Sequence, residues 1–326
     1  KNTNFKYSFL PNSKFIFYFK LISLNMSTNK IAVVTGANKG LGFAIVKGLC
    51  EENYGKIYLT SRDEVRGKEA IDKLRDLGQN PTFHQLDITD DASIQKFVHY
   101  IESTENKVDL LINNAGILFL KDSVEPKLHQ AEQTMNVNFL SLVNFCEAMI
   151  PLIHEGGNII NVSSSSGHLS RIPSEALRKR ISSPDLTLSE LKGLMASYVE
   201  DVKLGNDVPK WGETPYVVSK VGVNAYTFML DRKLRSVNVN CIHPGYVMSD
   251  MTRGAGTVTP EEAARTLLQV TLHPQGSGLF VWHDGSKVPW DELVGFILKQ
   301  ANVVLHGLLR WYSTLSFDYR MTFVLI

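Results

Sequence analysis

The feature that most constrains the fold of this chain is a glycine-rich stretch, Thr35–Gly42, with the sequence Thr-Gly-Ala-Asn-Lys-Gly-Leu-Gly. It follows an apolar, β-like run at Ile31–Val34 and precedes a helical pattern of apolar residues that starts at Phe43. Glycines let the chain turn tightly there and bring bare N–H groups to the positive end of a helix, which favours an anion. The stretch predicts a strand-to-helix turn that holds a phosphate. A tight turn without a ligand is the alternative interpretation, because the motif is short.

From Lys30 onward, strand-like runs alternate with helix-like runs. Short apolar strands joined by crossover helices predict an α/β fold with one doubly wound, Rossmann-like parallel sheet and helices on both faces. Ligands of such sheets bind beyond the carboxyl ends of the strands. The predicted strands are Ile31–Thr35, Lys56–Ser61, Thr82–Asp87, Val108–Asn113, Asn158–Ser163, a sixth that ends before His243, and Gly278–Val281, and the predicted helices run to about Glu52, over Val65–Leu77, from about Ala92, and over Gln130–Pro151.

Composition excludes several classes of function. The formal net charge of +1 over 326 residues gives no reason to expect nucleic acid as a partner. The three cysteines, Cys50, Cys146 and Cys241, are far apart and form no metal-ligand spacing. They predict no disulfide framework and no metal site, and they favour a reducing, cytoplasmic location. A small soluble molecule is the expected partner.

The two ends of the chain differ from the rest. Residues 1–29 are expected to be an extension outside the fold, preferably a leader translated upstream of Met26. A targeting segment is the alternative, because Phe15–Leu24 is apolar, but Lys14 and Lys20 leave this run too short for a spanning helix. Residues 30–290 are expected to form the single domain. Residues 291–326 are an extension of uncertain status: apolar positions share one helical face, so a docked helix, a membrane-surface contact or a non-native tail are all open.

Two basic residues indicate which dinucleotide the fold would bind. The second predicted strand ends in Ser61-Arg62, where a carboxylate would be expected for NAD, and a guanidinium there favours the 2′-phosphate of NADP(H). Lys39, inside the glycine turn, adds a second positive charge. The alternative for Arg62 is a solvated arginine that pairs with Asp63 or Glu64.

The ends of the next two strands carry polar side chains. Asp87 can accept a hydrogen bond from an adenine amino group, and Asn114 has an amide with donor and acceptor atoms near the cofactor. A helix N-cap for Asp87 and a turn residue for Asn114 are the structural alternatives.

The glycine turn and Asn113-Asn-Ala-Gly116 together resemble the short-chain dehydrogenase/reductase family. Three further stretches match the same family: Asn161–Gly167, Tyr216-Val-Val-Ser-Lys220 and His243–Val247. The matched motifs run from about residue 30 to residue 250. The resemblance implies contacts to an NADP cofactor from Gly36, Asn38, Lys39, Gly40, Leu41, Gly42, Arg62, Asp87, Ile88, Asn114, Tyr216, Lys220, Val247 and Ser249.

Tyr216 and Lys220 are four residues apart, so a helix would put them on one face. A nearby ammonium favours the phenolate and is expected to lower the pKa of Tyr216. The resemblance implies that Tyr216 donates a proton to a carbonyl oxygen, that Lys220 also holds the nicotinamide ribose, and that Ser164, three before Gly167, binds the same oxygen. It also implies that Asn138 holds a water of the proton relay.

An insertion separates the serine from the tyrosine, which follows Ser164 by 52 positions. Residues 168–215 contain a helical segment at Leu186–Tyr198 and are expected to be a helical insertion. This departure resembles the NADPH-dependent carbonyl reductase branch of the family, in which added helices accompany a monomeric state. Trp211, with Tyr246, Met248 and Met251, is expected to line an apolar substrate pocket; core packing is the alternative for Trp211.

These observations predict an NADPH-dependent carbonyl reductase that transfers hydride to ketones, aldehydes or quinones. Two alternatives remain open at this point. The same residues would support an alcohol or steroid dehydrogenase that works in the oxidative direction. A cofactor-bound sensor without turnover is the second, although it would not need all four catalytic residues.

Overall fold

Seven parallel strands form one sheet in the order β3-β2-β1-β4-β5-β6-β7 in the computed structural model, which describes residues 29–212 and 214–291. Because β1 is flanked by β2 and β4, the strand order reverses beside β1, and a crevice opens there at the carboxyl ends of the strands. The strands are β1 Ile31–Val34, β2 Lys56–Ser61, β3 Thr82–Gln85, β4 Val108–Asn113, β5 Ile153–Val162, β6 Asn238–His243 and β7 Leu279–Trp282.

Helices cover both faces of the sheet, so the predicted doubly wound α/β fold is confirmed. They are α1 Gly40–Glu51, α2 Glu64–Asp76, α3 Asp91–Thr104, α4 Lys127–Met135, α5 Leu142–Met149, α6 Glu175–Ile181, α7 Leu188–Lys203, α8 Asp207–Trp211, α9 Pro215–Lys233 and α10 Pro260–Leu272. Four short 3₁₀ turns lie at Ile150–Leu152, Ser165–Gly167, Leu169–Arg171 and Asp250–Thr252.

Side chains of the central strands alternate between two apolar clusters. On β4, Leu111 belongs to the cluster under α3, α5 and α9, whereas Leu110 and Ile112 belong to the cluster under α1 and α10. This alternation follows from the pleat, which sends successive side chains to opposite faces of a strand. A sheet buried on both faces has near-continuous apolar strands, which explains why the predicted and observed strands agree closely.

The predicted helix Gln130–Pro151 is present but is not uniform. Between α4 and α5 the chain forms a π-helical segment, Asn136–Ser141. Such segments are rare, and an apolar periodicity does not predict them. The continuous helical stretch Lys127–Leu152 has the length and apolar content of a membrane span, but more than half of its most apolar window is buried inside the protein. Its apolar character is therefore explained by the core.

Helices also form the predicted insertion, residues 168–215. The α7 helix starts with a capping box, in which Thr187 and Glu190 exchange hydrogen bonds between side chains and backbone. Its buried residues Leu191, Met195 and Tyr198 lie in the same apolar cluster as α9. The insertion thus covers the outer surface of α4 and α9. The expectations for the extensions at residues 1–28 and 292–326 lie outside the described residues.

Candidate active site

A cavity of about 1850 Å³ opens at the carboxyl ends of the strands. Ligand pockets for single small molecules are roughly 300–1,000 Å³, so this cavity has room for a dinucleotide and a second molecule. All the predicted cofactor contacts and Ser164 line it, together with Tyr246, Met248 and Met251. The predicted Asn138 and Trp211 are not among the described residues that line it.

The glycine turn forms one wall of the cavity. Gly36 has a φ of +61°, a conformation that L side chains rarely adopt, and a Cβ there would lie 2.9 Å from Cα of Ala115. A Cβ on Gly42 would lie 2.6 Å from both Nδ2 of Asn114 and the carbonyl oxygen of Gly36. Both glycines are therefore required for the close packing of the turn against the end of β4.

The first turn of α1 has free backbone N–H groups that face the cavity. Its N-cap, Lys39, makes no capping hydrogen bond through its side chain, and no acidic residue lies in the first turn. Four N–H groups at a helix start lack intrahelical partners, and the helix dipole adds positive potential there. The arrangement suits a pyrophosphate.

Lys39 itself has a partner that the sequence did not predict. Its Nζ lies 2.7 Å from Oδ2 of Asp250, in the loop after β6, and the pair is largely exposed to solvent. Lys39 lines the cavity, as expected, but its charge is shared with Asp250 in this structure. An exposed pair of this kind is weak, so Lys39 remains able to turn toward an anion.

Asn114 fastens the glycine turn to β4. Its Nδ2 donates to the carbonyl oxygens of Thr35 at 2.9 Å and Gly36 at 3.1 Å. In return, Oγ1 of Thr35 accepts from the backbone N–H groups of Asn114 and Ala115, at 2.9 and 3.0 Å. The Nδ2 atom of Asn114 thus holds the glycine turn in place. Its contact with a cofactor stays a prediction.

The end of β2 presents two arginines to the cavity. Arg62 and Arg66 both line it. Asp63, which was the suggested partner of Arg62, instead binds Arg66 at 2.8 Å and caps α2, and Glu64 pairs with Lys68. The alternative interpretation of Arg62 as half of an ion pair with these carboxylates is therefore wrong. Arg66 was missed by the sequence reasoning, although its place four residues after Arg62 was a usable signal.

Asp87 follows β3 and lines the cavity with Ile88. Its Oδ1 accepts hydrogen bonds from the backbone N and from Oγ1 of Thr89, at 2.9 and 2.7 Å. This bonding is that of a turn residue rather than of a helix N-cap; Asp90 is the N-cap of α3. Oδ2 of Asp87 has no hydrogen bond to another described residue and can accept one from a ligand.

Ser164 and Tyr216 meet at the far end of the cavity. Helix α9 starts at Pro215, with Thr214 as its cap, so Tyr216 lies in the first turn and faces β5. The Ser164 hydroxyl lies near enough to Tyr216 to lower the pKa of its phenol. Ser163 bonds Asn224, on the same helix as Tyr216, at 2.6 Å inside the core. All four serines, Ser163 to Ser166, line the cavity, so the choice of Ser164 stays a prediction.

Lys220 lies one turn after Tyr216 on the same face of α9. Its Nζ donates to the carbonyl oxygen of Val162, at 2.8 Å, and lies 5.7 Å from the centre of the Tyr216 ring. Burial lowers the pKa of Lys220 to about 8. A buried ammonium favours its neutral form because it has lost its hydration.

The expected lowering of the Tyr216 pKa is not observed. Burial raises the pKa of Tyr216 to about 12, and the nearby Ser164 hydroxyl offsets only part of that effect. The raised pKa of Tyr216 has a clear cause. The Lys220 ammonium points to the carbonyl oxygen of Val162, so its charge does not offset the desolvation of the phenol.

Asn138 lies in the π-helical segment and is fully buried. Its Oδ1 accepts from the backbone N of Ile117 at 2.7 Å, and its Nδ2 donates to the Ile117 carbonyl oxygen at 2.9 Å and to Oγ of Ser219 at 3.3 Å. The side chain thus anchors the loop after β4 and the catalytic helix. Its amide atoms are engaged, so the predicted water would have to bind the backbone.

The loop after β6 forms the opposite wall. Val247 and Ser249 line the cavity as expected, and Thr252 fixes both, since its Oγ1 donates to the Val247 carbonyl oxygen at 2.8 Å and accepts from Ser249 N at 3.1 Å. Tyr246 and Met248 lie beside them and keep 48% and 37% of their surfaces exposed. This wall is apolar where it meets solvent.

The prediction that Trp211 lines the substrate pocket is wrong. Trp211 is 1% exposed, and its Nε1 donates to Oδ2 of Asp201 at 2.8 Å. Its ring packs edge-on against Tyr198 of α7, with centroids 5.7 Å apart. Burying the large apolar ring in the core, with its single hydrogen-bond donor satisfied, is the more stable placement. Trp211 is near Tyr216 in sequence, but its side chain does not line the cavity.

Within residues 29–212 and 214–291, no group of three or more His, Cys, Asp or Glu side chains is arranged to hold a metal ion. The cysteines Cys50, Cys146 and Cys241 are free thiols.

Comparisons with known proteins agree with this geometry. The model of the short chain dehydrogenase family matches residues 30–176. Carbonyl reductase (NADPH) 1 of Rattus norvegicus is 38% identical over 276 residues, which are 81% of this chain and 99% of that protein. The chain belongs to the short-chain dehydrogenase family. Carbonyl reductase (NADPH) 3 of the same species is 39% identical over 76% of this chain and 92% of its own length.

Solved structures of this short-chain dehydrogenase type include two plant enzymes. Salutaridine reductase from Papaver somniferum superposes with a TM-score of 0.71 and 30% identity, over 77% of this chain and 99% of that one. Menthone neomenthol reductase from Mentha piperita gives 0.67 and 28%, over 81% and 99%. The resemblance drawn from the sequence motifs is confirmed.

Proposed function

We propose that this short-chain dehydrogenase is an NADPH-dependent carbonyl reductase that transfers hydride to ketones, aldehydes or quinones. The observation that carries the proposal is the meeting of Ser164, Tyr216 and Lys220 in the cavity that also contains the glycine turn. The names of the relatives, which are carbonyl reductases of the NADPH type, support it.

The residues at the cavity fit NADP(H). The free N–H groups of α1 would hold the pyrophosphate, and Arg62 and Arg66 would bind the 2′-phosphate at the end of β2. The one carboxylate next to Arg62, Asp63, is directed to Arg66 and to the start of α2. No ribose-binding carboxylate therefore takes the position that would select NAD.

The reaction needs a proton donor and an orienting group beside the hydride donor. When bound, the nicotinamide supplies the hydride. The Ser164 hydroxyl would orient the carbonyl group by donating to its oxygen, and Tyr216 would protonate that oxygen as the hydride arrives at carbon. Lys220 would hold the ribose, to which its ammonium can donate hydrogen bonds.

A water held at Asn138 would return a proton to Tyr216 after Tyr216 has donated its own to the substrate. The side-chain amide of Asn138 is bonded to Ile117 and Ser219, so the water would bind the backbone carbonyl group of the π-helical segment. In π-helical geometry some carbonyl oxygens lose their regular helical partner, which makes one available to a water.

The protonation state of Tyr216 favours reduction over the oxidative alternative. With its pKa raised to about 12, Tyr216 holds its proton at neutral pH and can act as an acid. Oxidation of an alcohol would need the phenolate form of Tyr216 instead, and the names of the relatives also support the reductive direction. The sensor hypothesis is disfavoured too, because Ser164, Tyr216 and Lys220 are all present around one cavity.

The substrate would enter beside the loop after β6. Tyr246, Met248 and Met251 present half-exposed apolar surface at the mouth of the cavity, next to Ser164 and Tyr216. Flexible methionines suit apolar molecules of varied shape.

We also propose that the enzyme is a monomer in a reducing compartment such as the cytoplasm. Helix α7 buries Leu191, Met195 and Tyr198 against the surface of α4 and α9, which would otherwise be available for pairing with a second copy. The free thiols are consistent with a reducing location.

The proposed function is tested by following NADPH oxidation with a panel of quinones, dicarbonyls and ketones. Tyr216→Phe should lower kcat at least about a hundredfold, because it removes a proton donor that contributes roughly 10²–10⁴-fold. Tyr198→Phe is a matched control, since the Tyr198 hydroxyl is buried without a hydrogen-bond partner among the described residues and its loss should leave activity unchanged. Full activity in Tyr216→Phe would refute the assignment, and NADPH binding without any turnover by the wild type would favour the sensor hypothesis.

A further inference from the structure

The chain returns to the catalytic serine after its last strand. Residues 287–291, named here the strap, fold back on β7, where the N–H of Val288 donates to the Phe280 carbonyl oxygen at 2.9 Å. The strap then crosses to the turn at 165–171, which follows Ser164 at the end of β5. The two segments are more than a hundred residues apart in sequence and in direct contact in the fold.

Trp290 is the main contact of the strap with this turn. Its Nε1 donates to the carbonyl oxygen of Gly167 at 2.7 Å, and its own carbonyl oxygen accepts from the backbone N of Leu169 at 3.1 Å. The side chain is 8% exposed, and its ring stacks on Phe228 of α9 with centroids 5.0 Å apart. Trp290 thus joins the serine turn to the helix that carries Tyr216.

The carbonyl oxygen of Gly167 has a second donor in the core. Nδ2 of Asn224 on α9 donates to it at 2.9 Å, while Oδ1 of Asn224 accepts from Oγ of Ser163. The backbone N of Gly167 donates to the Ser164 carbonyl oxygen at 2.9 Å. The same network of buried hydrogen bonds therefore fixes Ser163 and Gly167, which lie before and after Ser164 in the sequence.

His168 gives the strap a second bond to the turn. It is fully buried, and its Nδ1 accepts from the backbone N of Ser170 at 3.2 Å. Since Nδ1 is an acceptor, Nε2 carries the hydrogen and donates to the Pro289 carbonyl oxygen at 2.9 Å. Burial lowers the pKa of His168 to about 4, so the ring stays neutral and this bond persists at neutral pH.

We propose that Trp290 and His168 are positioning residues, which hold the serine turn against α9 so that the Ser164 hydroxyl faces Tyr216. Neither residue is among those that line the cavity, so they act through Ser164 and not on the substrate. This inference rests on the proposed function of Ser164. Small displacements of a catalytic group have large effects on rate, so a loose turn should be visible in kcat.

The test compares two buried tryptophans whose indole N–H groups each donate one hydrogen bond. Trp290→Phe keeps an aromatic ring on Phe228 but leaves the Gly167 oxygen with one donor fewer. Trp211→Phe is the control, because it also loses an indole hydrogen bond, to Asp201, and Trp211 does not line the cavity. Trp290→Phe should lower kcat about tenfold with the KM for NADPH within twofold, whereas Trp211→Phe should keep the wild-type kcat.

A double-mutant cycle separates positioning from general stability. In a Ser164→Ala background, Trp290→Phe should lower kcat no further if it acts through the serine hydroxyl. An equal, additive loss in that background would overturn the proposal, as would a kcat of Trp290→Phe equal to that of Trp211→Phe.

His168 supplies a second, independent pair of variants if Trp290→Phe folds poorly. His168→Leu removes the bond to Pro289 and should lower kcat, and His168→Gln, whose amide can still donate from a similar position, should recover most of it. Equal kcat values for the wild type and His168→Leu would refute the role of His168. If the wild type reduces no carbonyl compound at all, the proposed function fails and this inference falls with it.

Discussion

The Nζ atom of Lys220 lies 2.8 Å from the carbonyl oxygen of Val162, inside the protein, and the ammonium has no other polar contact within residues 29–212 and 214–291. One neutral acceptor compensates a buried charge only in part. Burial accordingly lowers the pKa of Lys220 to about 8, near the working range of an enzyme.

The lowered pKa of Lys220 predicts that the efficiency with which the enzyme uses NADPH declines above about pH 8. The charged form of a buried lysine is the disfavoured one, so Lys220 loses its proton as the pH rises through its lowered pKa, and with it a donor for the ribose. The value of kcat/KM for NADPH, at saturating carbonyl substrate, reports groups of the free enzyme and should fall about tenfold per pH unit above that point.

Lys220→Arg tests whether deprotonation of Lys220 causes this decline of kcat/KM at high pH. A guanidinium keeps its charge throughout the accessible range, so the decline near pH 8 should disappear even if the overall activity is lower. Lys47→Arg, at a surface pair with Glu51, is the control and should keep the wild-type profile. A decline at the same pH in Lys220→Arg would assign it to another group.

Cofactor choice should depend on Arg62. Arg62→Asp removes one charge-assisted bond to the 2′-phosphate, worth roughly 1.5–3 kcal/mol, and adds repulsion. The KM for NADPH should rise about 10- to 100-fold, while the KM for NADH should stay the same or fall. Steady-state rates with both cofactors measure the ratio.

Arg75→Asp provides the matched charge change outside the cavity. Arg75 lies on the same helix as Arg66 and pairs with Asp72 at the surface. Its substitution should leave both KM values unchanged. Equal losses of NADPH and NADH affinity in Arg62→Asp would contradict the phosphate contact.

Local patterns in the sequence were sufficient to predict the sheet and to place Tyr216 and Lys220 on one face of a helix. Strands buried on both faces have continuous apolar runs, and the four-residue spacing of Tyr216 and Lys220 directly gives a shared helix face. The glycine turn could be predicted as well, because glycines meet two local requirements there: a tight turn and a close approach of the backbone to its neighbours.

Contacts between distant segments could not be predicted in this way. Lys39 meets Asp250, and Trp290 meets Gly167, across separations of 211 and 123 residues. Trp211 was misplaced because closeness to Tyr216 in sequence says nothing about the side of α8 that faces the core. The raised pKa of Tyr216 was missed for a related reason, since desolvation depends on all surrounding elements and not on one neighbouring lysine.

The packing of the glycine turn gives a prediction for stability as well as for binding. In Gly42→Ala the new methyl group would lie 2.6 Å from Nδ2 of Asn114 and from the Gly36 carbonyl oxygen, and 2.8 Å from Cα of Ala37. Two of these neighbours are backbone atoms, which cannot move without opening the turn. Overpacking of this kind costs about 1–3 kcal/mol of unfolding free energy.

Gly193→Ala is the opposite case in a helix of the same protein. Gly193 lies in α7, is exposed, and has no atom within 4 Å of the position of an added Cβ. Alanine there should stabilise the protein by about 0.5–1 kcal/mol, because it reduces the conformational entropy of the unfolded chain.

Thermal unfolding with and without NADPH separates the two effects. Gly42→Ala should lower Tm and should also lose most of the additional stabilisation that NADPH gives the wild type, because the turn that holds the pyrophosphate is displaced. Gly193→Ala should raise Tm and keep the full stabilisation by NADPH. If Gly42→Ala showed the wild-type response to NADPH, the glycine turn would not be the phosphate site, and the cofactor would have to be placed elsewhere in the cavity.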